Sequence, residues 1–497
     1  MLPIDHFYRA VAKYPDRIAV KDGDVEVTYA ELGQSVAALA AAFQNIDPSP
    51  QTRVGICAYN TRDHLLAWLA TFAAGKTWVP LNPRNGRDEL SRICGVTSPS
   101  IVFIAEDCAD KLDAPDGAVC LNDLSGLIER NCGRSPIRHE LSLDDVQAIK
   151  FTGGSSGQPK GCVQTYRVWN TCITSMLYEF GFDKDDKNLL AAPMTHGTNT
   201  LIMPTFAAGG CQVFMGPAKP AAILDAFERY RITSVFVPPT VIYMMLEEKG
   251  LETRDFSSLR HLIVGGAAIR KDEVPRAMKV FNNALETCYG QTEAPQIAIC
   301  LRAADWMDPA NAASTGRATV MTRVEAMDPE GNVLPRGETG EIVLKGDLVM
   351  QGYLDMPEKT AETIIDGWLH TGDVGVIDER GFVFIKDRIR DVVITGGFNV
   401  YPSDVEAVLG LHPDVTECVV FGLPDKKWGE VLLAAVEVRD GAQISGDEIV
   451  GFVRERLDGV KTPKAIHIVD ELPRSPVGKV LRREAKVMFA EDEGTTT

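Results

Sequence analysis

The order of apolar and polar positions divides the chain into alternating helices and strands. From Thr28 onward the run "TYAELGQSVAALAAAF" has helical periodicity, and Thr28 and Glu31 have the spacing of a capping box. Short β-rich runs such as "RVGICAY", "VQAIKFT" and "LRHLIVGG" alternate with helical stretches such as "PAAILDAFERY". This alternation predicts an α/β fold with largely parallel sheets.

The pattern changes after Gly316. The run "TRVEAMDPEGNVLPRGETGEIVLKG" alternates in short stretches around turn signals, and after "KDRIRD" a compact α+β pattern follows. We therefore predict an N-terminal domain at 1–388 with two α/β sheets and a small β unit at about 317–386. A smaller, mobile α+β C-terminal domain is expected at 389–490, followed by a disordered tail at 491–497.

Composition narrows the class of function. The chain has 497 residues, of which 45% are hydrophobic and 24% charged, as in soluble globular proteins. A formal net charge of -18 without a basic run argues against nucleic-acid binding. Eleven scattered cysteines without a CxxC pair favour buried thiols in a reducing compartment. With no secretory pattern and no apolar run of the ~20 residues that a membrane span needs, we expect a cytoplasmic protein without stable membrane insertion.

The stretch "FTGGSSGQPKG", at 151–161, is the strongest candidate for chemistry. Glycines let backbone N–H groups approach an anion, hydroxyls add donors, and Lys160 supplies a positive charge. The strand-like run that precedes the stretch places it at the end of a strand, where α/β proteins bind ligands. These features suit a polyphosphate.

Other interpretations of this loop have to be weighed. It is not a Walker A loop, because Pro159 precedes Lys160 and Gly161 follows it. A second near-match, Gly75-Lys76-Thr77, has Ala70 in place of the first glycine. Residues 153–157 match the G-x-S-x-G nucleophile elbow, but the glycines and the proline that follow postpone the helix that an elbow requires. A serine hydrolase is therefore a distant alternative, and a flexible surface turn is the alternative for the loop alone.

The loop resembles the phosphate loop of the adenylate-forming (AMP-binding) superfamily, which contains acyl-CoA synthetases, luciferases and peptide-synthetase adenylation domains. It departs from that pattern by Gly153 in place of serine and by Ser155 and Ser156 in place of threonines. Five further matches follow in family order: "GGAAI" (265–269), "CYGQTE" (288–293), "HTGD" (370–373), "DRIRDVVITGGFNVYPSDVE" (387–406) and "PRSPVGKVLRRE" (473–484). The chain is similar to the acyl-CoA synthetase, or acid:CoA ligase, branch.

The resemblance implies a two-step reaction. A carboxylate attacks the α-phosphate of ATP to give an acyl-adenylate and pyrophosphate, and a thiol, that of CoA, then takes the acyl group. It implies ATP, Mg²⁺ and CoA, with Glu293 as a ligand of Mg²⁺. The ATP contacts that it implies are Thr152, Gly153, Gly154, Ser155, Ser156, Gly157, Lys160, Gly265, Gly266, Ala267, Tyr289, Gly290, Gln291, Thr292, Glu293, Asp373, Arg388 and Lys479.

The resemblance also implies catalytic and hinge residues in the C-terminal domain. Lys479 is the implied catalytic cation, because charge develops at the α-phosphate while both reactants are anionic. Rotation about a hinge at Arg390 would withdraw Lys479 and present Gly396 and Gly397 along the pantetheine channel. Trp428 occupies the position that contacts CoA in relatives.

The segment "APMTHGTNT", at 192–200, resembles the acid-pocket segment of acyl-CoA synthetases. It implies a catalytic role for His196 as a gate and orienter of the acid, while Gly197 departs from the usual order. The segment has no acidic residue to pair an ammonium group, which argues against an amino-acid substrate. The runs "VFVPPTVIYMM" and "CYGQTEAPQI" would line a mainly apolar cavity, so we expect a fatty, aromatic or alicyclic acid.

Two questions stay open at this point. An adenylating enzyme that loads a carrier protein in trans is the alternative to an acid–CoA ligase. The sequence is compatible with a homodimer but does not select an oligomeric state.

Overall fold

The computed structural model describes residues 1–152, 159–439, 441–474 and 480–492. The α-helices of these residues are α1 (Pro3–Lys13), α2 (Tyr29–Ile46), α3 (Arg62–Ala73), α4 (Arg87–Thr97), α5 (Ser125–Arg130), α6 (Tyr166–Phe180), α7 (Asn199–Ala208), α8 (Pro220–Tyr230), α9 (Pro239–Leu246), α10 (Val274–Val280), α11 (Pro357–Thr363), α12 (Pro402–Leu409), α13 (Gly446–Arg454) and α14 (Arg482–Asp492).

The β-strands of the same residues are β1 (Ile18–Asp22), β2 (Val25–Thr28), β3 (Arg53–Cys57), β4 (Thr77–Leu81), β5 (Ile101–Ile104), β6 (Val119–Leu121), β7 (Val146–Thr152), β8 (Lys160–Thr165), β9 (Lys187–Leu189), β10 (Cys211–Phe214), β11 (Ser234–Val237), β12 (His261–Val264), β13 (Leu285–Gln291), β14 (Ala294–Leu301), β15 (Gly316–Ala318), β16 (Arg323–Met327), β17 (Thr339–Lys345), β18 (Gly352–Tyr353), β19 (Ile364–Ile365), β20 (Trp368–Ile377), β21 (Phe382–Arg388), β22 (Val393–Thr395), β23 (Phe398–Val400), β24 (Val415–Asp425), β25 (Gly429–Val438) and β26 (Ala465–Val469).

Contacts group the chain into two compact units. Unit 1 consists of Met1–Ala268, Pro275–Val324 and Leu344–His370. Unit 2 consists of Ile269–Val274, Glu325–Val343 and Thr371–Thr497. The domain boundaries at 388 and 490 that the sequence predicts stay predictions.

Unit 1 contains two sheets that are parallel in their middle strands. The first has the order β15-β14-β13-β12-β11-β9-β10-β1-β2 and is parallel from β13 to β1. The second has the order β18-β8-β7-β4-β3-β5-β6 and is parallel from β7 to β6. Towards the edges of the two sheets, the described antiparallel pairs are β1-β2, β13-β14, β14-β15, β18-β8 and β7-β8. The predicted α/β fold with two largely parallel sheets is confirmed.

Local signals in the sequence account for where elements begin. The capping box at the start of α2 is present, since Glu31 N donates to Thr28 Oγ1 at 3.2 Å and Thr28 N donates to Glu31 Oε2 at 2.8 Å. In the core of unit 1, the indole rings of Trp68, Trp78 and Trp169 are buried and pack edge to face or tilted, with centroids 6.0 to 6.3 Å apart. Together they join α3, β4 and α6 behind the strand that leads to the phosphate loop.

Unit 2 has an antiparallel sheet in the order β23-β22-β25-β24, with β26 parallel to β25. The side chains of β24 and β25 alternate between two apolar clusters, one on each face of the sheet. Helices α12 and α13 cover one face, and α14 covers the other through Ala485 and Phe489. The α+β character of the C-terminal part is therefore confirmed.

The turn predicted around Asp328 is also present in unit 2. Asp328 N donates to Asn332 O at 3.0 Å, and Gly331 has a φ of +85°.

Among the helices in the described part of the chain, none is both long enough and apolar enough to cross a lipid bilayer.

The near-match to a Walker A loop at Lys76 is a structural site. Lys76 is fully buried, and its Nζ donates to Ser49 O at 3.0 Å and to Thr52 Oγ1 at 2.6 Å. The Asp47 carboxylate lies 3.7 Å from the same ammonium. Burial lowers the pKa of Lys76, and the negative charge of Asp47 acts in the opposite direction by raising it. Oxygens of the protein thus surround the Lys76 ammonium, which has no N–H free to donate to a phosphate.

We predict that Lys76→Met lowers the free energy of unfolding by about 1 to 3 kcal/mol, because Ser49 O and Thr52 Oγ1 lose the ammonium that donates to both. The exposed pair of Lys184 with Asp185, at 2.7 Å, provides the matched control. Lys184→Met should cost less than about 1 kcal/mol. Chemical denaturation measures both values. Weaker ATP binding by Lys76→Met at unchanged stability would instead make this lysine a phosphate contact.

Candidate active site

The predicted phosphate loop connects two paired strands. Strands β7 and β8 are antiparallel, with Thr152 opposite Lys160. Of the implied phosphate contacts, Gly153, Gly154, Ser155, Ser156 and Gly157 lie outside the described residues. The first element after the loop is a strand, whereas a nucleophile elbow leads directly into a helix. The flanking geometry therefore disfavours the serine hydrolase.

Lys160 and Glu293 contact two different parts of one tyrosine. The Lys160 Nζ is 4.9 Å from the centroid of the Tyr353 ring. The Tyr353 hydroxyl donates to Glu293 Oε1 at 2.7 Å. Burial and, secondarily, the Glu293 carboxylate raise the pKa of Tyr353, so its hydroxyl stays protonated. Sequence reasoning missed Tyr353, because it lies sixty residues after Glu293 and no local pattern connects the two.

The "YGQTE" motif forms the end of β13 and the tight turn into β14. A Cβ on Gly290 would lie 2.6 Å from Gln296 N and 2.8 Å from Ala294 O, so only glycine fits there. The turn is fastened to β8, because Gln164 Nε2 donates to Thr292 O at 2.7 Å. Within the motif, Gln291 Nε2 donates to Tyr289 OH at 3.4 Å.

The "GGA" segment lies beside this motif. Gly265, Gly266 and Ala267 directly follow β12, which pairs in parallel with β13. Since both strands run in the same direction, their carboxyl ends and the two motifs meet at one edge of the sheet. Gly266 has a φ of +84°, and a Cβ on Gly265 would lie 2.9 Å from the ring of Phe236. The structure therefore brings together the two segments implied to hold adenine.

His196 lies in the turn before α7. Its ring is reached by solvent although protein surrounds it on most sides. Desolvation, followed by the charges of Lys150 and Arg84, lowers the pKa of His196 to about 4. The imidazole is therefore neutral near pH 7. Thr195 Oγ1 lies 3.0 Å from its Nδ1, which restricts the orientation of the ring.

Gly197 shows how the acid-pocket segments meet. A Cβ at this position would lie 2.7 Å from the Phe236 ring and 2.9 Å from Gln296 Oε1. The glycine that departs from the family order thus lets Phe236 lie against the His196 turn. The same ring contacts the Gly265 position. Phe236 and Gln296 belong to the two runs that the sequence predicts to line the acid cavity, and the structure places both beside this turn.

Lys150 is a buried cation behind the same turn. It is 8% exposed, and its Nζ lies 3.5 Å from His196 O and 3.5 Å from Asn199 Oδ1. The ring centroids of Trp78 and Trp169 are 5.6 and 5.9 Å away. Burial lowers the pKa of Lys150 to about 8, and it takes part in no ion pair within the described part of the chain. One charged residue inside the apolar run "VQAIKFT" is the signal that could have revealed it.

In unit 2, Asp373 and Arg388 face each other across β20 and β21. Arg388 Nε lies 2.6 Å from Asp373 Oδ1, and the aspartate is buried while the arginine is partly exposed. The structure thus pairs the two residues implied to contact ribose. Arg390, the implied hinge, lies in the single-turn 3-10 helix Ile389–Asp391 with Nε 3.7 Å from Asp391 Oδ1.

The residues implied to contact CoA meet at one surface of unit 2. Gly396 and Gly397 have φ values of +57° and +83° and form the turn between β22 and β23. Gly396 N donates to Trp428 O at 2.8 Å, and a Cβ on Gly396 would lie 3.1 Å from the indole. Trp428 is 49% exposed. A flat aromatic surface thus lies beside bare backbone.

Lys479 lies outside the described residues, but the chain just after it is firmly held. Arg482 Nη1 lies 3.2 Å from Asp387 Oδ1 and 3.0 Å from Asp391 Oδ2. Its Nη2 donates to both oxygens of Glu406, at 2.8 and 2.9 Å. Sequence reasoning missed this arginine, which connects the segment after Lys479 to the turn that carries Arg390.

Comparisons with known proteins agree with this arrangement. The family described as "AMP-binding enzyme" matches residues 7–354, and the "AMP-binding enzyme C-terminal domain" matches residues 404–479. A feruloyl-CoA synthase from Amycolatopsis sp is 36% identical over 479 residues, 96% of each chain. The medium/long-chain-fatty-acid–CoA ligase FadD8 of Mycobacterium tuberculosis is 30% identical over 512 residues, 98% of this chain and 90% of the relative.

A solved structure matches over nearly the whole chain. ATP-bound MatB from Rhodopseudomonas palustris superposes with a TM-score of 0.89 at 29% identity, and the match covers 99% of this chain and 100% of MatB. The family match extends over more than half of the chain, and the six motifs keep the family order. The chain therefore belongs to the AMP-binding enzyme family of adenylate-forming enzymes, in its acid–CoA ligase branch.

Proposed function

We propose that the protein uses ATP to convert a carboxylic acid to an acyl-adenylate and then transfers the acyl group to CoA, with release of pyrophosphate and AMP. The observation that carries this proposal is the convergence at one sheet edge of the "GGA" and "YGQTE" segments. Tyr353 contacts both Lys160 and Glu293, the last residue of "YGQTE", and these two side chains bear opposite charges. Bare backbone, an aromatic ring and opposite charges are what a nucleotide with its metal requires.

Each ATP contact has a physical role in this proposal. Lys160 and the loop donors neutralise the β- and γ-phosphates, and Thr292 adds a hydroxyl. Tyr289 offers a ring face to adenine beside the glycines of "GGA". In unit 2, Asp373 accepts hydrogen bonds from the ribose hydroxyls, while Arg388, 2.6 Å away, holds its carboxylate in place.

The residues present are compatible with Mg²⁺. The Glu293 carboxylate is a hard oxygen ligand, partly exposed and oriented by the Tyr353 hydroxyl. Within the described residues, no group of three or more His, Cys, Asp or Glu side chains could hold a metal by itself. Mg²⁺ commonly uses one or two carboxylates together with substrate phosphates. Glu293 would therefore hold the ion jointly with ATP, and the ion would neutralise phosphate charge.

The His196 turn is where we place the acid. Phe236 supplies an apolar wall, which suits a fatty, aromatic or alicyclic acid. The neutral imidazole of His196 orients the carboxylate through a hydrogen bond without adding charge. Lys150 lies behind the turn and is largely protonated at pH 7, so its field favours an anion there.

Thioester formation requires a surface that binds CoA, which we place on unit 2. Gly396, Gly397 and Trp428 accept the pantetheine arm and CoA, while Lys479 serves the adenylation step alone. A cation placed between two anions is most valuable in the transition state of that step.

We predict that Lys479→Ala lowers acid-dependent pyrophosphate release by about 100-fold to 1,000-fold, because the developing charge loses its counter-ion. Thioester formation from a chemically prepared acyl-adenylate and CoA should change only a few-fold. A panel of fatty and aromatic acids with ATP and Mg²⁺, with and without CoA, measures both steps. Lys184→Ala, an exposed lysine, is the control.

The same assay separates the alternatives. Release that free CoA does not accelerate, but a holo-carrier protein does, would replace CoA by a carrier partner. Labelling of Ser155 by a serine-reactive phosphonate, with no pyrophosphate released for any acid, would overturn the ligase.

We also predict that His196→Ala lowers kcat/KM for the acid by about tenfold to 100-fold, because it loosens the position of the carboxylate. The factor should be the same at pH 5.5 and pH 7.5. With a pKa of about 4 in the folded protein, below the ordinary value near 6.5, the imidazole is neutral over this whole range. Steady-state rates across the range measure it. A wild-type inflection near pH 6.5 that disappears in the variant would contradict the neutral imidazole.

A further inference from the structure

Tyr353 lies outside all the motifs of the chain. It belongs to the two-residue strand β18, which pairs with β8 so that Tyr353 lies opposite Cys162. The residue is 7% exposed, and Tyr353 N donates to Thr360 Oγ1 at 2.9 Å. Backbone pairing and this hydrogen bond hold the residue rigidly, so its ring can serve as a fixed reference for its neighbours.

Two different parts of the ring contact two groups of opposite charge. The face lies beneath the Lys160 ammonium at 4.9 Å, within the distance of a cation–π interaction. The hydroxyl donates to Glu293 Oε1 at 2.7 Å. A carboxylate oxygen can only accept, so the phenol is the donor in this hydrogen bond.

The contacts also separate the two charges. Both Lys160 and Glu293 act electrostatically on the Cys162 thiol, so they share one neighbourhood. Yet no ion pair joins them in the described residues. Opposite charges in one neighbourhood attract each other, so loss of the ring between them would favour a direct pair. Each would then be neutralised before it could meet a phosphate or a metal ion.

We propose that Tyr353 is a positioning residue that holds Lys160 and Glu293 apart, one turned to the phosphates of ATP and the other to Mg²⁺. This inference rests on the roles of Lys160 and Glu293 in the proposed function. The tyrosine touches neither reactant. It acts on the geometry of the two residues that do.

Two variants separate the two contacts. Tyr353→Phe keeps the ring face and removes the hydrogen bond to Glu293, whereas Tyr353→Leu removes both. ATP binding by the full chain is measured by calorimetry without acid, either at increasing Mg²⁺ or in EDTA. Tyr178→Phe, at a tyrosine that is 70% exposed on α6, is the matched control, and the melting temperature of each variant is recorded.

We expect Tyr353→Phe to raise the Mg²⁺ concentration for half-maximal ATP binding by about tenfold, the effect of one hydrogen bond to a charged group. Its affinity for ATP in EDTA should equal that of the wild type. Tyr353→Leu should weaken binding in EDTA as well, by about fivefold, because Lys160 loses its support and pairs with Glu293. In a Glu293→Gln background, Tyr353→Phe should no longer change the Mg²⁺ requirement.

The outcomes test the positioning role of Tyr353 separately from the proposed function on which it rests. If Glu293→Gln changes the Mg²⁺ requirement but Tyr353→Phe does not, the positioning role is wrong and the proposed function stands. If Glu293→Gln itself has no effect, the metal role of Glu293 fails. A lower melting temperature of Tyr353→Phe with unchanged ATP and Mg²⁺ binding would assign the tyrosine to stability alone.

Discussion

The parallel pairing of β12 with β13 is the constraint on which the site in unit 1 depends. It brings Gly265 and Tyr289, from two consecutive strands of the chain, to the same sheet edge. The backbone is then packed so tightly that side chains are excluded. At Gly290 the backbone of β14 occupies the space of a Cβ, and at Gly265 the ring of Phe236 does so. Only glycine lets the β14 backbone and the Phe236 ring come this close. A backbone without side chains is also a surface on which a flat base can lie.

The lysines of unit 1 differ in the partners that surround their ammonium groups, and this difference separates a structural lysine from a candidate functional one. Lys76 has a carboxylate and two further oxygens around its ammonium, so the fold alone accounts for it. Among the described residues, Lys150 has only long contacts to neutral oxygens and the faces of two indoles. A buried charge without an anionic partner is costly, and such groups are found where a ligand supplies what the protein lacks. Lys160 lies between these cases, since Tyr353 supports it without neutralising it.

In unit 2, ion pairs between arginines and carboxylates hold the candidate site residues in place. Arg482 binds three carboxylates at once, which raises the pKa of its guanidinium further and fastens the chain after Lys479 to the turn around Arg390. Arg388 and Asp373 form a separate pair across two strands. An arginine can serve such sites because its planar fork presents several donors in fixed directions. The glycine turn at Gly396 offers backbone beside the Trp428 ring, and the Lys427 ammonium lies 4.7 Å from the centroid of that ring.

The sequence by itself determined the order and type of the elements, because apolar periodicity, the capping box at Thr28 and the turn at Asp328 act over a few residues. It also determined the family, since the six motifs are contiguous runs of residues. It could not predict Tyr353 or Arg482, whose partners lie far along the chain and meet them only through sheet register and packing. Nor could it predict that Phe236, in a run expected to line the acid cavity, lies against the His196 turn. Nor could it decide that Lys76 is structural, or that no carboxylate pairs with Lys150 in the described part of the chain. Burial and the distance to the nearest carboxylate set the behaviour of a lysine, and both are properties of the tertiary structure.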